Sequence, residues 1–387
     1  MKKLILIIIV FSTLQVFSQT QIGTGNSRMQ ITYRFSSFAN YRAGWDSAYL
    51  DRKQNKFFLR NAQILLKGTF GKNTEFDFGL DGAQLISKAN DPQNPALVDA
   101  NLTYKGLGFV DLILGYGKVP YSRNNFVSFF ESPFWQRPEI VGGAFFSRRD
   151  VGVSFHKSLL RNTINLFGGV YNGLGESSLL GLNDPSGKFE YISRVEYSYP
   201  SRYRYKEIDE RISVIPMFSI GVNGRYTNKV LPVGENFAAL TQGEFLTKVI
   251  SGEKYTYGAD AAFQYRGISA QFEIHQMRMQ PSDSSSFLYN KISKSKAGGK
   301  ILSGGFFGQL NYYNLKARST VSVRYEELNM NDLVPGYFAR WGFAYSYQIK
   351  GFNSLLKAQY FYNQKEESLI DNLNHKHQFR LGIQIII

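Results

Sequence analysis

The chain contains no cysteine and only 11 prolines in 387 residues. Disulfides therefore play no part in its fold. Beyond the N-terminal region, no apolar run approaches the about 18 residues that a transmembrane helix needs. Histidine is scarce, and neither a Gly-x-Ser-x-Gly nucleophile motif nor a His-Glu-x-x-His metal motif occurs. We therefore predict that the chain is not an enzyme and has no catalytic residue, no metal site and no cofactor.

The first residues are typical of a secretion signal. Lys2 and Lys3 precede an apolar run from Leu4 to Phe11, and small residues near Ser18 suit a signal peptidase. We expect residues 1–18 to be a signal peptide and residues 19–387 to form one domain. A net charge of +15 suggests an anionic binding partner. Because the signal predicts export, nucleic acid is not the partner that we expect. Anionic lipopolysaccharide or anionic solutes suit that charge better.

Aromatic residues and glycine are abundant, with 32 Phe, 25 Tyr and 36 Gly, and apolar residues alternate with polar ones along the whole chain. In one segment Ile31, Tyr33 and Phe35 share a face, and the residues between them are polar. Such alternation predicts β-strands that have one apolar and one polar face. The pattern recurs in sixteen segments, near 29–37, 57–70, 73–83, 97–105, 109–118, 149–157, 162–171, 187–198, 213–227, 255–266, 268–279, 300–314, 317–328, 337–349, 352–363 and 376–387.

The connections between these segments alternate between long and short. The long ones are 38–56, 84–96, 119–148, 172–186, 228–254, 280–299, 329–336 and 364–375. Long outer loops and short periplasmic turns are typical of outer-membrane barrels, and so are aromatic girdles at the membrane interfaces. We predict an all-β fold, a transmembrane antiparallel β-barrel of about 16 strands. The segment 200–212 is an exception, since it is long on the side where the turns should be short.

A barrel of this width would enclose an aqueous channel, because its side chains could not fill the lumen. The connection 119–148 is too aromatic to lie freely in water, so we expect it to fold into the barrel and narrow it. A surface loop that seals a trimer interface is the alternative. Candidates for anion selectivity are the basic residues in and beside this loop, together with inward-facing cations of the wall. They are Lys118, Arg123, Arg137, Arg148, Arg149, Lys67, Arg194, Arg324 and Arg380.

Several short motifs resemble the family of phosphate-selective porins O and P. They are LGYGKVPY from Leu114 to Tyr121, RRDVGV from Arg148 to Val153, GVYNG from Gly169 to Gly173, and LRNAQILLKG from Leu59 to Gly68. The resemblance implies a sixteen-stranded outer-membrane trimer whose constriction loop follows the first motif. Asn61 and Gln63 stand where arginines are common in that family, so one basic row is thinner here. The solutes that the resemblance implies are phosphate or other small anions.

The sequence thus predicts a porin in the outer membrane of a Gram-negative bacterium, for passive diffusion of small solutes and with a preference for anions. Expected partners are small anionic solutes, outer-membrane lipid and lipopolysaccharide, the barrel-insertion machinery and two further copies in a homotrimer. A structural or docking barrel without steady conductance is the alternative. An enzymatic barrel and a soluble secreted β-protein are weaker alternatives.

Overall fold

A computed structural model describes residues 20–23, 27–44, 55–87, 96–143, 145–180, 187–230, 248–282, 299–329, 332, 337–365 and 375–387. The predicted signal peptide lies outside these residues, as do large parts of the long connections. No helix in these ranges is both long and apolar enough to span a bilayer.

Seventeen strands and two short helices follow one another along the described chain. The strands are β1 Thr20–Ile22, β2 Arg28–Ala43, β3 Lys56–Phe70, β4 Thr74–Asp81, β5 Leu97–Tyr104, β6 Asp111–Lys118, β7 Arg149–Leu159, β8 Ile164–Tyr171, β9 Glu190–Tyr199, β10 Met217–Lys229, β11 Gly252–Tyr265, β12 Ile268–Pro281, β13 Ile301–Asn314, β14 Ser319–Asn329, β15 Phe338–Lys350, β16 Ser354–Lys365 and β17 His377–Ile386. Helix α1 covers Gly82–Ser87, and α2 covers Arg123–Phe126. Short 3-10 turns lie at Phe129–Glu131, Glu139–Val141 and Gly175–Leu180.

The strands β2 to β17 form a closed antiparallel barrel. Each pairs with its neighbour in the sequence, and β17 pairs with β2 from His377 opposite Ala43 to Ile386 opposite Arg34. The short strand β1 pairs with β2 beside this closure, with Thr20 opposite Ile31. Closure leaves no edge whose backbone groups would be unpaired in hydrocarbon. The predicted fold class and the sixteen strands are thereby confirmed.

Strand β2 is longer than the sequence pattern predicts, because it continues to Ala43 instead of ending near residue 37. The alternation breaks there, since Phe38 faces inward and Ser37 faces outward. Phe38 is buried and packs on Phe58 of β3 and on Trp135, with ring centroids 5.4 and 5.2 Å away. The inward position is apolar because another part of the chain fills the lumen beside it.

The outer surface of the barrel is apolar, whereas the inner surface is polar. On β10 the outward residues Ile220 and Val222 are 54% and 57% exposed, whereas the inward residues that flank them, Ser219 and Asn223, are buried. Such a surface would be unfavourable in water but suits lipid acyl chains. The outward face is therefore the one that contacts the membrane.

The predicted alternation of connections is confirmed for the turns, which are short between β3 and β4, β5 and β6, β7 and β8, β11 and β12, β13 and β14, and β15 and β16. The exception is also real, since residues 200–216 connect β9 to β10 at the same end of the barrel. Tyr203, Glu207, Ile208 and Asp209 of this connection are buried. It is long because it folds into the lumen.

The inner wall is hydrated on one side only. From β9 to β12 nearly every inward residue is buried, as in the strict alternation of β9. Several inward residues of β3 to β5, among them Lys67, Asp77 and Asn101, are partly or fully exposed, although Leu65 and Asp81 are buried. Both groups of residues face the lumen. Other parts of the chain must therefore cover the inward residues of β9 to β12, whereas many inward residues of β3 to β5 remain accessible to water.

The two faces predict different responses to a charge. Val222→Lys, near the middle of β10, should destabilise the barrel by about 2–4 kcal/mol, because the ammonium group would lie in hydrocarbon. Val214→Lys, at an exposed position just before β10, should cost only about 0–1 kcal/mol. Urea unfolding in lipid vesicles measures both values. Equal costs for the two variants would contradict the assignment of the outward face.

Candidate functional site: a lumen narrowed by an inward loop

The connection 119–148 between β6 and β7 is here called the inner loop, and its described residues lie inside the barrel. The aromatic residues Tyr121, Phe134, Trp135 and Phe145 are fully buried. Helix α2 begins after Ser122, whose side chain accepts a hydrogen bond from the amide of Asn124. Because the loop lies inside the barrel, these aromatic side chains are withdrawn from water, as predicted from the sequence.

Two arginines and two acids fix the start of the inner loop to the wall. Arg123 of α2 donates to Asp260 on β11 at 2.9 Å and to Glu196 on β9 at 3.2 Å. Arg194 on β9 donates to Glu196 at 2.7 Å and is also bonded to Asp260. All four groups are buried. Gly221 makes room for this cluster, because a Cβ atom there would lie 2.4 Å from the Arg194 guanidinium.

A second polar cluster lies beside the first. Glu273 on β12 accepts hydrogen bonds from the Ser122 hydroxyl at 2.6 Å and the Asn124 amide at 2.8 Å. His275 bridges the Glu273 carboxylate, at 3.1 Å, and the Tyr121 hydroxyl, at 3.0 Å. Serine, histidine and glutamate are the residue types of a hydrolase triad, but here the serine bonds to the carboxylate and the whole group is buried. The arrangement holds the loop and offers no accessible nucleophile.

The middle of the inner loop is fixed to the opposite wall. The amide of Trp135 donates to Gln359 on β16 at 2.7 Å, and the Lys357 ammonium donates to the Ser132 carbonyl at 2.8 Å. Lys357 also lies over the Trp135 ring at 4.5 Å. On β17 the side chain of Gln384 donates to the carbonyl of Phe130 at 2.7 Å. The loop therefore crosses the whole lumen, from β9 to β17.

The end of the inner loop is tied to the next outer connection. Asp150, in the RRDVGV motif, accepts hydrogen bonds from the amides of Gly173 and Gly175 at 2.7 and 3.1 Å and from the Ser178 hydroxyl at 2.6 Å. Gly173 has a positive φ of 75°, and a Cβ atom there would meet Lys229 at 2.5 Å. The hydrogen bond between Asp150 and Gly173 joins the RRDVGV motif to the last residue of the GVYNG motif. It gives a physical reason for both motifs.

Four of the residues predicted from the sequence for anion selectivity are paired with carboxylates. Arg123 and Arg194 belong to the buried cluster. Arg149 binds Asp99 at 3.0 Å, and Lys67 binds Asp77 at 2.7 Å. Their positive charges are locally compensated, although Lys67 and Arg149 still contact water.

The other five predicted residues make no ion pair with the described acids. Lys118 donates to the Phe126 carbonyl at 3.0 Å, and Arg324 donates to Gln309 at 3.0 Å and lies 3.9 Å over the Phe134 ring. Arg380 donates to Asn40 and to Gln136, at 3.0 and 2.6 Å. The guanidinium of Arg148, at the end of the loop, is little exposed.

Arg137 stabilises the inner loop from within. Its guanidinium donates to the carbonyls of Asn124 and Val127, both at 2.8 Å, and to the Asn124 side chain at 2.6 Å. Burial lowers the pKa of Arg137 to about 9, although the charge of Glu207 opposes that shift. The group therefore remains cationic at neutral pH. A substitution at Arg137 would alter the shape of the loop as well as its charge.

Sequence reasoning did not select two arginines that face the hydrated side. Arg34 of β2 lies over the Phe130 ring at 5.4 Å and donates to the Ser128 hydroxyl at 3.3 Å. Arg60 of β3 is exposed and lies over the Phe129 ring at 5.1 Å. Both thus contact the tip of the inner loop. The alternation of apolar and polar residues in β2 places Arg34 on the inward face, so the sequence indicated its position. The same alternation, counted back from Asn61 in β3, would place Arg60 on the lipid face.

A β-bulge turns Arg60 into the lumen. Ser36 pairs with Asn61 and Ser37 pairs with Leu59, so Arg60 is the extra residue between them. A bulge of this kind re-aims a side chain without ending the strand. On the lipid face the same guanidinium would be costly, whereas in the lumen its charge reaches the water-filled channel.

Arg34, Arg60 and Arg380 follow one side of the channel at successive heights. Arg60 lies at the level of Ser36 and Ser37, and Arg380 pairs with Asn40. At about 3.3 Å per residue, the levels of Arg34 and Arg380 are about 20 Å apart along β2. No carboxylate among the described residues forms an ion pair with any of these three arginines. They form a column of arginines, of which Arg34 and Arg60 are partly or fully exposed and Arg380 is buried.

The part of the chain that the structure describes contains no group of three His, Cys, Asp or Glu residues that would suit a metal ion. His377, which the sequence places two residues from His375, is hydrogen-bonded to the Tyr360 hydroxyl at 2.8 Å.

Comparison with known proteins agrees with this architecture. Residues 29–200 match the model of the family named phosphate-selective porin O and P, which confirms the resemblance over that range. The match covers the closure strand β2, the inner loop and the wall up to β9. No curated protein sequence matches the chain.

Solved outer-membrane barrels share the fold at low sequence identity. The chain is similar to OmpT of Vibrio cholerae, at 7% identity and a TM-score of 0.59, over 95% of this chain and all of the other. It is also similar to an anion-selective porin from Comamonas acidovorans, at 12% identity and a TM-score of 0.59, over 93% of this chain and all of the other. The channel DcaP of Acinetobacter baumannii, at 11% identity and a TM-score of 0.53, covers 94% of this chain and 99% of its own.

The buried ion cluster makes a direct prediction about stability. Arg123→Met should destabilise the protein by about 3–5 kcal/mol, because it leaves the charge of Asp260 less compensated in a dry site. Lys67→Met removes an exposed pair and should cost less than about 1 kcal/mol. Unfolding in urea, followed by gel mobility with and without heating, measures both. A similar small loss for both variants would show that the cluster does not hold the inner loop.

Proposed function

We propose that this protein is a porin of the outer membrane through which small solutes diffuse passively, with a preference for small anions such as phosphate. The observation that carries the proposal is the column of Arg34, Arg60 and Arg380, in which Arg34 and Arg60 are accessible to water and Arg380 is buried. Fixed cations at a constriction narrower than the Debye length of about 8 Å attract anions and repel cations. Arg34 and Arg60 contact the inner loop at Phe130 and Phe129, so their charges lie beside the part of the chain that narrows the lumen.

The remaining charges of the channel support this preference. Asp77 and Asp99 face the same water, but each forms an ion pair with a basic residue, Lys67 and Arg149 respectively. The acids Glu196, Asp260 and Glu273 are buried away from the channel. Glu131 and Glu210 also border this water, and both pair with Lys206. Arg34 and Arg60, which form no ion pair with a described carboxylate, thus add positive charge to a wall whose other exposed charges are paired. Arginine suits brief contacts with phosphate or carboxylate, since its planar group donates two parallel hydrogen bonds.

The other features of a porin follow from the same reading. We place the chain in the outer membrane of a Gram-negative bacterium, after cleavage of residues 1–18 and insertion by the barrel-insertion machinery. Anionic lipopolysaccharide is an expected partner because the chain carries a net charge of +15. A homotrimer is the assembly we expect, in keeping with a solved trimer form of the similar OmpT of Vibrio cholerae.

A structural or docking barrel without steady current is the second candidate, and the filling of most of the lumen favours it. Recording from purified protein in planar bilayers separates the two. A porin would show discrete, stable current steps, whereas a docking barrel would show none.

Removal of the column should reduce the preference for anions. In a potassium chloride gradient, the wild-type reversal potential should indicate that chloride crosses more readily than potassium. Arg34→Gln together with Arg60→Gln should lower the anion-to-cation permeability ratio several-fold, because both cations face the water path. Lys316→Gln, in a short turn, is the matched control and should leave the ratio nearly unchanged. Cation preference in the wild type, or an unchanged ratio in the double variant, would refute the proposal.

A further inference from the structure

Residues 200–216, here called the inner segment, enter the lumen from the end of the short turns and meet the inner loop. Glu207 joins the two, because its carboxylate accepts hydrogen bonds from Ser132 at 2.8 Å and from Asn124 at 3.3 Å. The same carboxylate accepts one from Gln309 of the wall at 3.0 Å. A single buried acid therefore connects the inner segment, the inner loop and β13.

Aromatic contacts continue this junction beneath α2. The Arg123 guanidinium lies over the rings of Tyr203 and Tyr205, at 5.0 and 5.6 Å. Tyr205 stacks on Phe126 with ring centroids 4.6 Å apart and donates to Glu196 at 3.1 Å. The inner segment thus covers the underside of the buried ion cluster.

The wall anchors the inner segment independently of the inner loop. The Glu207 carbonyl accepts hydrogen bonds from Ser269 and Asn311, both at 2.7 Å. Asp209 accepts one from the amide of Gly267, in the turn between β11 and β12, at 2.9 Å. These bonds fix both the height and the orientation of the segment within the barrel.

The two sides of the junction differ in the space that they leave. On the β11 and β12 side, the gap bordered by Val127, Tyr203 and Ala262 holds no volume large enough for a water molecule. On the β2 and β3 side a cavity of about 270 Å³ is bordered by Arg34, Lys67 and Glu131. Lys206 and Glu210 of the inner segment belong to the border of that cavity.

We propose that the inner segment is a seal, which closes the lumen beneath the inner loop along β9 to β13 and confines ions and solutes to the path beside β2 and β3. This inference rests on the proposed function, since a seal matters only if the lumen conducts. Without the seal, water could reach Glu196, Asp260 and Glu273 from the periplasmic end. A second path lined by these acids would carry current with little anion preference.

A shortened variant tests the seal directly. Replacement of residues 201–215 by Asn-Gly, a pair that suits a tight turn between antiparallel strands, should roughly double the single-channel conductance or raise it further. The anion-to-cation permeability ratio should fall at the same time. A shortened barrel that shows the usual heat-dependent gel mobility but unchanged conductance and selectivity would overturn the proposal.

Glu207→Gln is the conservative variant, because it keeps the shape of the side chain and removes the charge that binds Ser132 and Asn124. It should add brief openings of higher conductance to the wild-type steps. Arg211→Gln is the matched control, since Arg211 belongs to the same segment but is exposed. Current traces of the control should equal those of the wild type. Identical traces for all three proteins would argue against the seal.

Cysteine labelling tests the same point without disturbing the junction, because the chain has no cysteine of its own. In detergent, Lys67→Cys on the open side should react quickly with a charged methanethiosulfonate reagent, whereas Ala262→Cys beneath the segment should remain unreacted. Comparable rates would show that water reaches both sides, and the seal would be wrong. A wild-type barrel that passes no current, yet shows this labelling pattern, would refute the transport function and leave the closure intact.

Discussion

The structure depends on charge compensation inside a wide barrel. The side chains of a sixteen-stranded wall cannot fill the lumen, so connections between the strands fill it instead. The polar side chains of the inner wall are then buried away from water. Burial of an unpaired charge is costly. The pairing of Arg123 and Arg194 with Asp260 and Glu196 avoids that cost on one wall, and Lys357 with the Ser132 carbonyl does so on the other. The inner loop can cross the lumen because both walls bind it.

The same bonds divide the lumen into a dry part and a wet part. Where the inner loop and the inner segment meet β8 to β14, polar side chains serve as structural contacts. Where the wall of β2 to β5 faces open space, similar side chains are available to solutes. A basic residue on the inward face therefore has no fixed role, and its role depends on which part of the lumen it faces. Arg194 and Arg34 show the two cases.

Most of the fold could be predicted from the sequence, because each strand carries its own alternation. The sixteen strands, the short turns and the inward loop all follow from local patterns. The contacts of the site were harder to predict. Arg123 and Asp260, for example, are far apart in the sequence, and no local pattern reveals that they form a pair. Arg60 was missed because a bulge reverses the parity on which the prediction rests. The length of 200–212 indicated something unusual, but its inward path depends on contacts of Glu207 with the inner loop and with β13, both far away in the sequence.

The bulge at Arg60 gives β3 a property that an unbroken strand would lack. Because one additional residue is accommodated there, Phe57 and Leu59 on one side and Ile64 on the other all point to lipid, in spite of the change in parity between them. Deletion of Arg60 would remove its charge and the bulge between β2 and β3. Every residue pair between these two strands would be kept. The charge that Arg60 adds to the water path therefore depends on a single bulged residue that no strand pair requires.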